Sequence, residues 1–319
     1  MKFLDTTGLA YFWAKIRTAL DAKQDVLSGT AGKLVGFDAQ GRATAITAEY
    51  VTEREMNTAI AEAAESVKDM LMSGGVPYGK ELSESWPALQ ARIRKGDFTG
   101  IHIGDYKTIT VNGETVVMEV AGIDQYTRCD PKEIGHHVDF ISRDCLNGLR
   151  KFNNTETNNG NAEEDNPWRA SDLFKYLNET VFKQLDAALQ SCIIEKRAYI
   201  ETKYSSASPG ELTSDTGAKW DSVGRLWLPT EIEVFGTAHC SEICYGTYGG
   251  GQNIQYPIFM GGARHIIKGK GHNGTRTSWW ESVTKRESAT NVCSVHFHGT
   301  FGSYAATNEN GVPLCFRIG

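Results

Sequence analysis

The chain has 319 residues, and its 33 lysines and arginines against 39 aspartates and glutamates give a formal net charge of -6. This balance argues against the broad basic face that nucleic-acid binding needs, so we expect no nucleic-acid partner. Hydrophobic residues make up 40% of the chain, which is typical of a folded globular protein, and the length is that of about two average domains.

The N-terminal residues do not form an apolar leader, because Asp5 falls where a secretory signal would be hydrophobic. No segment approaches the roughly 20 consecutive apolar residues of a membrane-spanning helix. We therefore expect a chain without a signal peptide and without membrane insertion.

Two helices are predicted over residues 8–21 and 52–72, where apolar side chains recur at alternating spacings of four and three. This spacing forms a narrow seam and indicates a partner helix. The seam residues, predicted to be oligomerisation positions, are Leu9, Trp13, Ile16, Leu20, Met56, Ile60, Val67 and Met70. Since two heptads are too short for a stable isolated coiled coil, a helix packed on its own domain is the alternative.

Residues 24–48 are rich in Gly, Ala and Thr and predict a short β segment, with a turn at residues 38–41. So short a segment cannot bury a core unless copies from several chains pack together. Residues 1–75 are therefore predicted to form an oligomerisation stalk that makes the protein a homotrimer. The break at Ser73-Gly74-Gly75 marks the start of a second domain, residues 76–319.

The second domain is predicted to be of mixed α+β class with short antiparallel strands. A β-hairpin is predicted over residues 109–117, because Asn112-Gly113 suits the two positive φ angles of a type I′ turn. A helix is predicted from the Asn166 cap and Pro167 to about Gln190. Short strands are predicted at residues 225–229, 292–298 and 312–318.

Strand 292–298 alternates apolar and polar side chains, so Cys293, Val295 and Phe297 are predicted to face inward. The outward row, with the polar segment from Glu281 to Asn291 predicted as a loop, forms the predicted receptor-binding surface. One tryptophan of Trp279 and Trp280 is expected to lie in the core. The predicted site comprises Trp279, Trp280, Ser282, Thr284, Arg286, Ser288, Thr290, Asn291, Ser294, His296, His298, Tyr304 and Asn308. Tryptophan, tyrosine and arginine contribute most of the binding energy at such surfaces.

Potential metal ligands occur in two places. His296 and His298 share a strand face, and His272 is a third candidate ligand. Cys240 and Cys244 form a close pair beside His239. We interpret the histidines as a polar strand face and the cysteines as buried thiols. No metal and no cofactor are predicted.

The N-terminal string Thr6-Thr7-Gly8-Leu9-Ala10-Tyr11-Phe12-Trp13-Ala14-Lys15-Ile16, with residues 22–32, resembles the opening of tail-fibre proteins from phages of gut Gram-positive bacteria. From about Pro77 the chain resembles a C-type-lectin-like domain of the formylglycine-generating-enzyme type. That domain type occurs in phage receptor-binding proteins and in retroelement-diversified proteins such as the major tropism determinant. The matching pieces are Gly104–Ile109, Trp168–Leu173, Trp227–Gly236, Ser278–Trp280 and Asn310–Pro313.

The resemblance implies a phage tail-fibre or receptor-binding protein of the virion tail that is not an enzyme. It implies that the N-terminus binds baseplate or tail proteins and that the C-terminal domain binds a bacterial surface protein or glycan. The alternative is a glycan-cleaving or thiol-dependent enzyme on the same fold. Cleavage would use paired carboxylates such as Glu231 with Glu233 or Asp139 with Asp144, although helix capping explains the first pair. The enzyme resemblance draws attention to the thiols of Cys293 and Cys315, which we interpret as buried structural groups.

Overall fold

The computed structural model describes residues 14–15, 35–37, 43–45, 79–127, 130, 132, 134–159, 166–201, 218–241, 254–261, 263–286 and 288–319. The chain divides into two compact units, Met1–Glu65 and Ser66–Gly319.

In the first unit, strands β1 (Val35–Phe37) and β2 (Ala43–Ala45) form an antiparallel pair in which Gly36 lies opposite Thr44. This pair agrees with the hairpin predicted around residues 38–41. Ala14 and Lys15 are helical, but the rest of the predicted helix 8–21 and all of helix 52–72 lie outside the described residues. The predicted oligomerisation residues that lie outside them are Leu9, Trp13, Ile16, Leu20, Met56, Ile60, Val67 and Met70.

The second unit contains both helices and strands. Its strands are β3 (Tyr106–Val111), β4 (Glu114–Ile123), β5 (Val138–Cys145), β6 (Arg150–Lys151), β7 (Ile193–Ile194), β8 (Lys196–Glu201), β9 (Ala218–Gly224), β10 (Leu226–Trp227), β11 (Lys268–Gly269), β12 (Arg276–Thr277), β13 (Trp279–Thr284), β14 (Asn291–Val295), β15 (Phe301–Ala305), β16 (Glu309–Asn310) and β17 (Pro313–Ile318). Its helices are α1 (Trp86–Ile93), α2 (Pro167–Ala170), α3 (Asp172–Lys175), a π-helical turn (Tyr176–Val181), α4 (Phe182–Gln184), α5 (Ala187–Cys192), α6 (Glu231–Phe235), α7 (Pro257–Met260) and α8 (Ala263–Ile266).

The largest sheet has six strands in the order β10-β17-β5-β4-β3, and β7 also pairs with β17. Neighbouring strands in it run antiparallel. Phe140 of β5 and Phe316 of β17 stack with their ring centroids 5.4 Å apart, and Trp86 of α1 contacts both rings edge-on. One part of the core therefore lies between this sheet and α1.

The hairpin of β3 and β4 confirms the prediction made from Asn112-Gly113. Val111 pairs with Glu114, so the two residues between them form the turn. Their φ angles of 49° and 79° are both positive, as a type I′ turn requires.

Strands β13, β14 and β15 form a separate three-stranded antiparallel sheet, in which β13 and β14 are covered on both faces. On one face the indole nitrogen of Trp279 donates to the Ile266 carbonyl at 2.9 Å. On the other, the indole nitrogen of Trp280 donates to the Arg150 carbonyl at 2.7 Å, and its ring packs on Phe152. Strands β13 and β14 are therefore interior elements, and both tryptophans are fully buried.

The helix predicted from Asn166 to about Gln190 is wrong in its continuity. The Asn166 cap and Pro167 start are present, but the backbone is extended at Ser171 and again at Leu185. Ser171 ends α2 and accepts a hydrogen bond from the Phe174 amide, so it caps α3. The apolar spacing persists across these breaks, which is why the segment reads as one helix in sequence.

The second unit is thus a mixed α+β structure with mostly antiparallel strands, as predicted. Across the described residues, every helix is too short or too polar to cross a lipid bilayer.

Candidate binding surface

The turn between β14 and β15, residues 296–300, exposes aromatic side chains on a tightly bonded backbone. The amide of His296 donates to the Thr300 carbonyl, and the amide of Gly299 donates to the His296 carbonyl, both at 2.7 Å. The amide of Phe297 donates to the Ser278 hydroxyl at 3.1 Å. These bonds fix the turn to the sheet, so its side chains project from a rigid frame.

Four rings, His296, Phe297, His298 and Tyr304, form what we call the turn cluster. The rings of His296 and His298 have centroids 4.1 Å apart, and Phe297 and His298 are 3.8 Å apart. Tyr304 stacks on His296 at 6.2 Å and also packs edge-on against buried Trp280. Phe297 is 44% exposed, so the cluster presents an apolar ring to solvent.

Three further rings, Phe235, His239 and Phe301, form what we call the helix-side stack. His239 and Phe301 lie face to face with centroids 4.0 Å apart and ring planes 3° apart. Phe235, at the end of α6, meets both rings edge-on. Phe301 is 47% exposed and begins β15, so the stack adjoins the same turn.

Five residues of the predicted receptor-binding site are buried and cannot contact a partner. The prediction placed a loop from Glu281 onward, but β13 extends to Thr284 and is covered on both faces. Ser294, on β14, was predicted to face outward, but its side chain is fully buried. The corrected residues are Trp279, Trp280, Ser282, Thr284 and Ser294.

Phe297 was predicted to face inward with Cys293 and Val295, which are buried as predicted. Its assignment is wrong because β14 ends at Val295, so the alternation stops before Phe297. His298 and Asn308 are exposed, while six predicted residues are partly exposed. These six are Arg286, Ser288, Thr290, Asn291, His296 and Tyr304.

The described residues 285–286 and 288–290 belong to the connection between β13 and β14, and hydrogen bonds anchor this connection. The Asn158 side-chain amide donates to the carbonyls of Ser288 and Asn291 at 2.6 and 2.9 Å. Ser288 in turn accepts from the amides of Thr290 and Asn291. The polar side chains here therefore serve the loop's own structure.

Besides Phe297, three residues of the surface were not predicted from the sequence: Phe235, His239 and Phe301. Phe301 pairs with Val295 in the sheet register, so it belongs to the strand that follows the turn. Gly299, with a φ of 87°, is the local signal that the strand ends before it.

The carboxylate pairs considered for catalysis are tied into buried interactions. Glu233 accepts from the Tyr126 hydroxyl and the Lys196 ammonium and completes a capping box with Thr230. The carboxylate of Asp139 accepts hydrogen bonds from both Nε and Nη2 of Arg317. Burial alone would raise the pKa of Asp139, but the guanidinium outweighs it and holds that pKa below its usual range. These groups stabilise the fold, and the capping explanation for Glu233 is confirmed.

The thiols of Cys293 and Cys315 are buried, as predicted. Burial raises the pKa of both thiols, so little reactive thiolate forms near neutral pH.

The histidines considered as metal ligands are not assembled into a site in the described part of the chain. The His272 ring forms its hydrogen bond with the side chain of Asn273 rather than with a ring of the turn cluster. Of the residues described, one group of three acidic or thiol ligands lies close together, namely Glu231, Glu281 and Cys293.

A family model described as a domain of unknown function, DUF6273, matches residues 138–319, more than half of the chain. The chain belongs to the DUF6273 family. No curated protein and no solved structure matches it.

The DUF6273 match begins at Val138, the first residue of β5, and includes both sets of exposed rings. The sheet extends beyond the match, because β4 pairs with β5 and β3 pairs with β4. In this chain the DUF6273 region therefore shares one sheet with residues that precede it.

Proposed function

We propose that this protein is a bacteriophage receptor-binding protein that attaches the virion tail to a bacterial surface receptor. The observation that carries the proposal is the exposure of Phe297 and Phe301 on either end of one rigid turn. Contact between an aromatic ring and water is unfavourable, and a partner that covers the ring removes this cost. Such rings are frequent hot spots of recognition.

The architecture of the surface supports binding rather than packing within the chain. The turn cluster and the helix-side stack combine apolar rings with imidazole and hydroxyl groups, which give adaptable hydrogen bonds. Ring-to-ring contacts and the bond from Phe297 to Ser278 hold these side chains in place before binding. Preorganisation of this kind lowers the entropy lost on association.

The proposal includes the finer features inferred from the sequence. Residues 76–319 form a C-type-lectin-like receptor-binding domain, and residues 1–75 form a trimeric stalk that binds baseplate or tail proteins. The N-terminal resemblance to phage tail fibres and the narrow apolar seams support this organisation.

The test is attachment of the full chain, fluorescently labelled, to candidate host cells. A Phe297→Ala/Phe301→Ala variant should bind at least about tenfold more weakly, since hot-spot truncations cost roughly 2 kcal/mol or more. The matched control is Met260→Ala, because Met260 is 64% exposed but lies on α7. Undiminished attachment of the double variant, with both proteins folded, would place the site elsewhere.

Two treatments of the cells distinguish the receptor class. Loss of attachment after protease treatment identifies a surface protein, and loss after periodate oxidation identifies a glycan.

The stalk is tested by sedimentation of the full chain. We expect a trimer that dissociates when Ile60 and Val67 are both replaced by aspartate, because a charge in an apolar seam opposes association. A wild-type monomer at micromolar concentration would contradict the stalk.

A further inference from the structure

Glu231, Glu281 and Cys293 converge between a helix and two strands. Glu231 is the first residue of α6, Glu281 lies on β13 and Cys293 on β14. One carboxylate oxygen of each glutamate and the Cys293 sulfur all lie within 4.8 Å of one another. All three side chains are fully buried.

The surroundings of Glu281 do not suit an ionised carboxylate. It is 0% exposed, and neither Oε1 nor Oε2 has a hydrogen-bond partner among the residues that the structure describes. Leaving a buried carboxylate without partners is among the most unfavourable arrangements in a folded protein. Burial first, and then the neighbouring Glu231 carboxylate, raise the pKa of Glu281 well above its usual range.

Three other buried acids in this domain have cationic partners. Asp139 pairs with Arg317, Glu233 with Lys196, and Glu119 with Arg143. For Glu281, by contrast, the two effects that shift the pKa are burial and the Glu231 carboxylate, and both disfavour the ionised form. A positive charge bound between the oxygens of Glu281 and those of Glu231 would stabilise the ionised form of Glu281.

The donor set indicates which cation fits. Magnesium and calcium prefer oxygen ligands alone, whereas zinc accepts a thiolate together with carboxylates. We propose that Glu231, Glu281 and Cys293 bind a divalent cation of the zinc class. The Cys293 thiol and the Glu281 carboxyl release their protons to solvent on binding, because the thiolate and the carboxylate are the ligands.

The surroundings of Glu231 match those of an oriented metal ligand. Its Oε2 accepts from the Ser241 amide at 2.8 Å and from the Ser241 hydroxyl at 2.6 Å, and its Oε1 accepts from the Cys240 amide at 2.8 Å. Outer hydrogen bonds of this kind fix the direction of a ligating carboxylate. Oε1 accepts this one bond among those described, so it keeps a lone pair for the cation.

The fourth coordination position falls to water. Cys240 packs against the same small apolar cluster as Cys293, and it is partly exposed. It also adjoins His239 of the helix-side stack. A bound cation would therefore hold the segment that carries His239, although the inference stands without the receptor-binding proposal.

The first experiment uses the full chain, treated with a chelator and kept reduced. Zinc should raise its melting temperature, and Co²⁺ should bind with about one ion per chain and a near-ultraviolet thiolate-to-cobalt charge-transfer band. Absence of both the melting-temperature shift and the band would overturn the site.

Variants then assign the ligands. Cys293→Ala should lose the band, and Glu281→Gln should weaken Co²⁺ binding by at least about tenfold, as loss of a ligand does. The control Cys192→Ala removes another buried thiol, outside the cluster, and should keep the band. A band that persists in Cys293→Ala would assign the metal to other cysteines and refute the proposal.

Glu281→Gln also separates metal binding from a purely structural role. It keeps the side-chain shape and removes the buried charge, so without metal it should be at least as stable as the wild type. The zinc-dependent rise in melting temperature should disappear in this variant. An unchanged rise would exclude Glu281 as a ligand, and this test remains decisive if Cys293→Ala fails to fold.

Discussion

Arg317 and Asp139 face each other across β17 and β5, and the guanidinium donates from Nε and Nη2 to both carboxylate oxygens at 2.6 and 2.8 Å. Both side chains are 2% exposed. The pair lies in the middle of the main sheet and places a charge-neutral unit inside an apolar core.

Breaking this pair should destabilise the domain. Arg317→Met leaves the Asp139 carboxylate buried without its counter-charge, which costs about 3–5 kcal/mol of unfolding free energy. Urea unfolding followed by tryptophan fluorescence measures the loss. The control is Asp139→Leu/Arg317→Met, which should lose less because neither charge remains, although the Tyr256 hydroxyl loses its acceptor. Equal losses in the two variants would show that the stranded carboxylate is not the cause.

The same pair should make stability depend on pH in the acid range. Because the folded pKa of Asp139 lies below its unfolded value, the pair contributes fully above about pH 5 and its contribution falls as the pH drops through the folded pKa. Between about pH 5 and pH 2 the wild type should lose more stability than Asp139→Leu/Arg317→Met. Parallel pH profiles of the urea midpoint would contradict this assignment.

The corrected burial of the predicted site gives a stability contrast. Trp280→Ala should cost about 3–5 kcal/mol, since it empties a fully buried position and frees the Arg150 carbonyl. Phe301→Ala should cost less than about 1 kcal/mol because the ring is partly exposed. Chemical unfolding of the two variants measures both losses. A larger loss in Phe301→Ala than in Trp280→Ala would contradict the burial of Trp280.

Two glycines with similar φ angles should respond differently to alanine. At Gly113, with a φ of 79°, an added Cβ meets open space, so only backbone strain of about 1 kcal/mol is expected. At Gly299, with a φ of 87°, the Cβ would also lie 2.9 Å from Cγ1 of Ile267. Gly299→Ala should therefore be the more destabilising in thermal unfolding, and adding Ile267→Ala should recover part of the difference. Recovery of nothing would mean that strain alone acts at both turns.

The fold was predictable where its cause is local. Asn112-Gly113 forces a specific turn through its backbone preferences, and the apolar alternation through Cys293 and Val295 gives the correct inward face. Ser171 illustrates the limit, because its side chain satisfies the backbone of the next helix while the apolar spacing continues unchanged.

The candidate surface was less predictable because its contacts are distant in sequence. Nothing near His239 indicates that its ring will stack on Phe301. Glu281 is polar and reads as a loop residue, yet the cover on β13 buries it. Alternation also gives no warning of where a strand ends, and this is why Phe297 was placed inward.

The position of β17 between β10 and β5 has a consequence for synthesis. The ribosome makes β5 long before β17, so the growing chain carries β5 with one edge unpaired until Ile318 has emerged. Unpaired edges of apolar strands recruit other chains. Because β17 is synthesised well after β5, slow translation of the segment between them should favour aggregation, and co-expressed chaperones that shield nascent chains should raise the soluble yield.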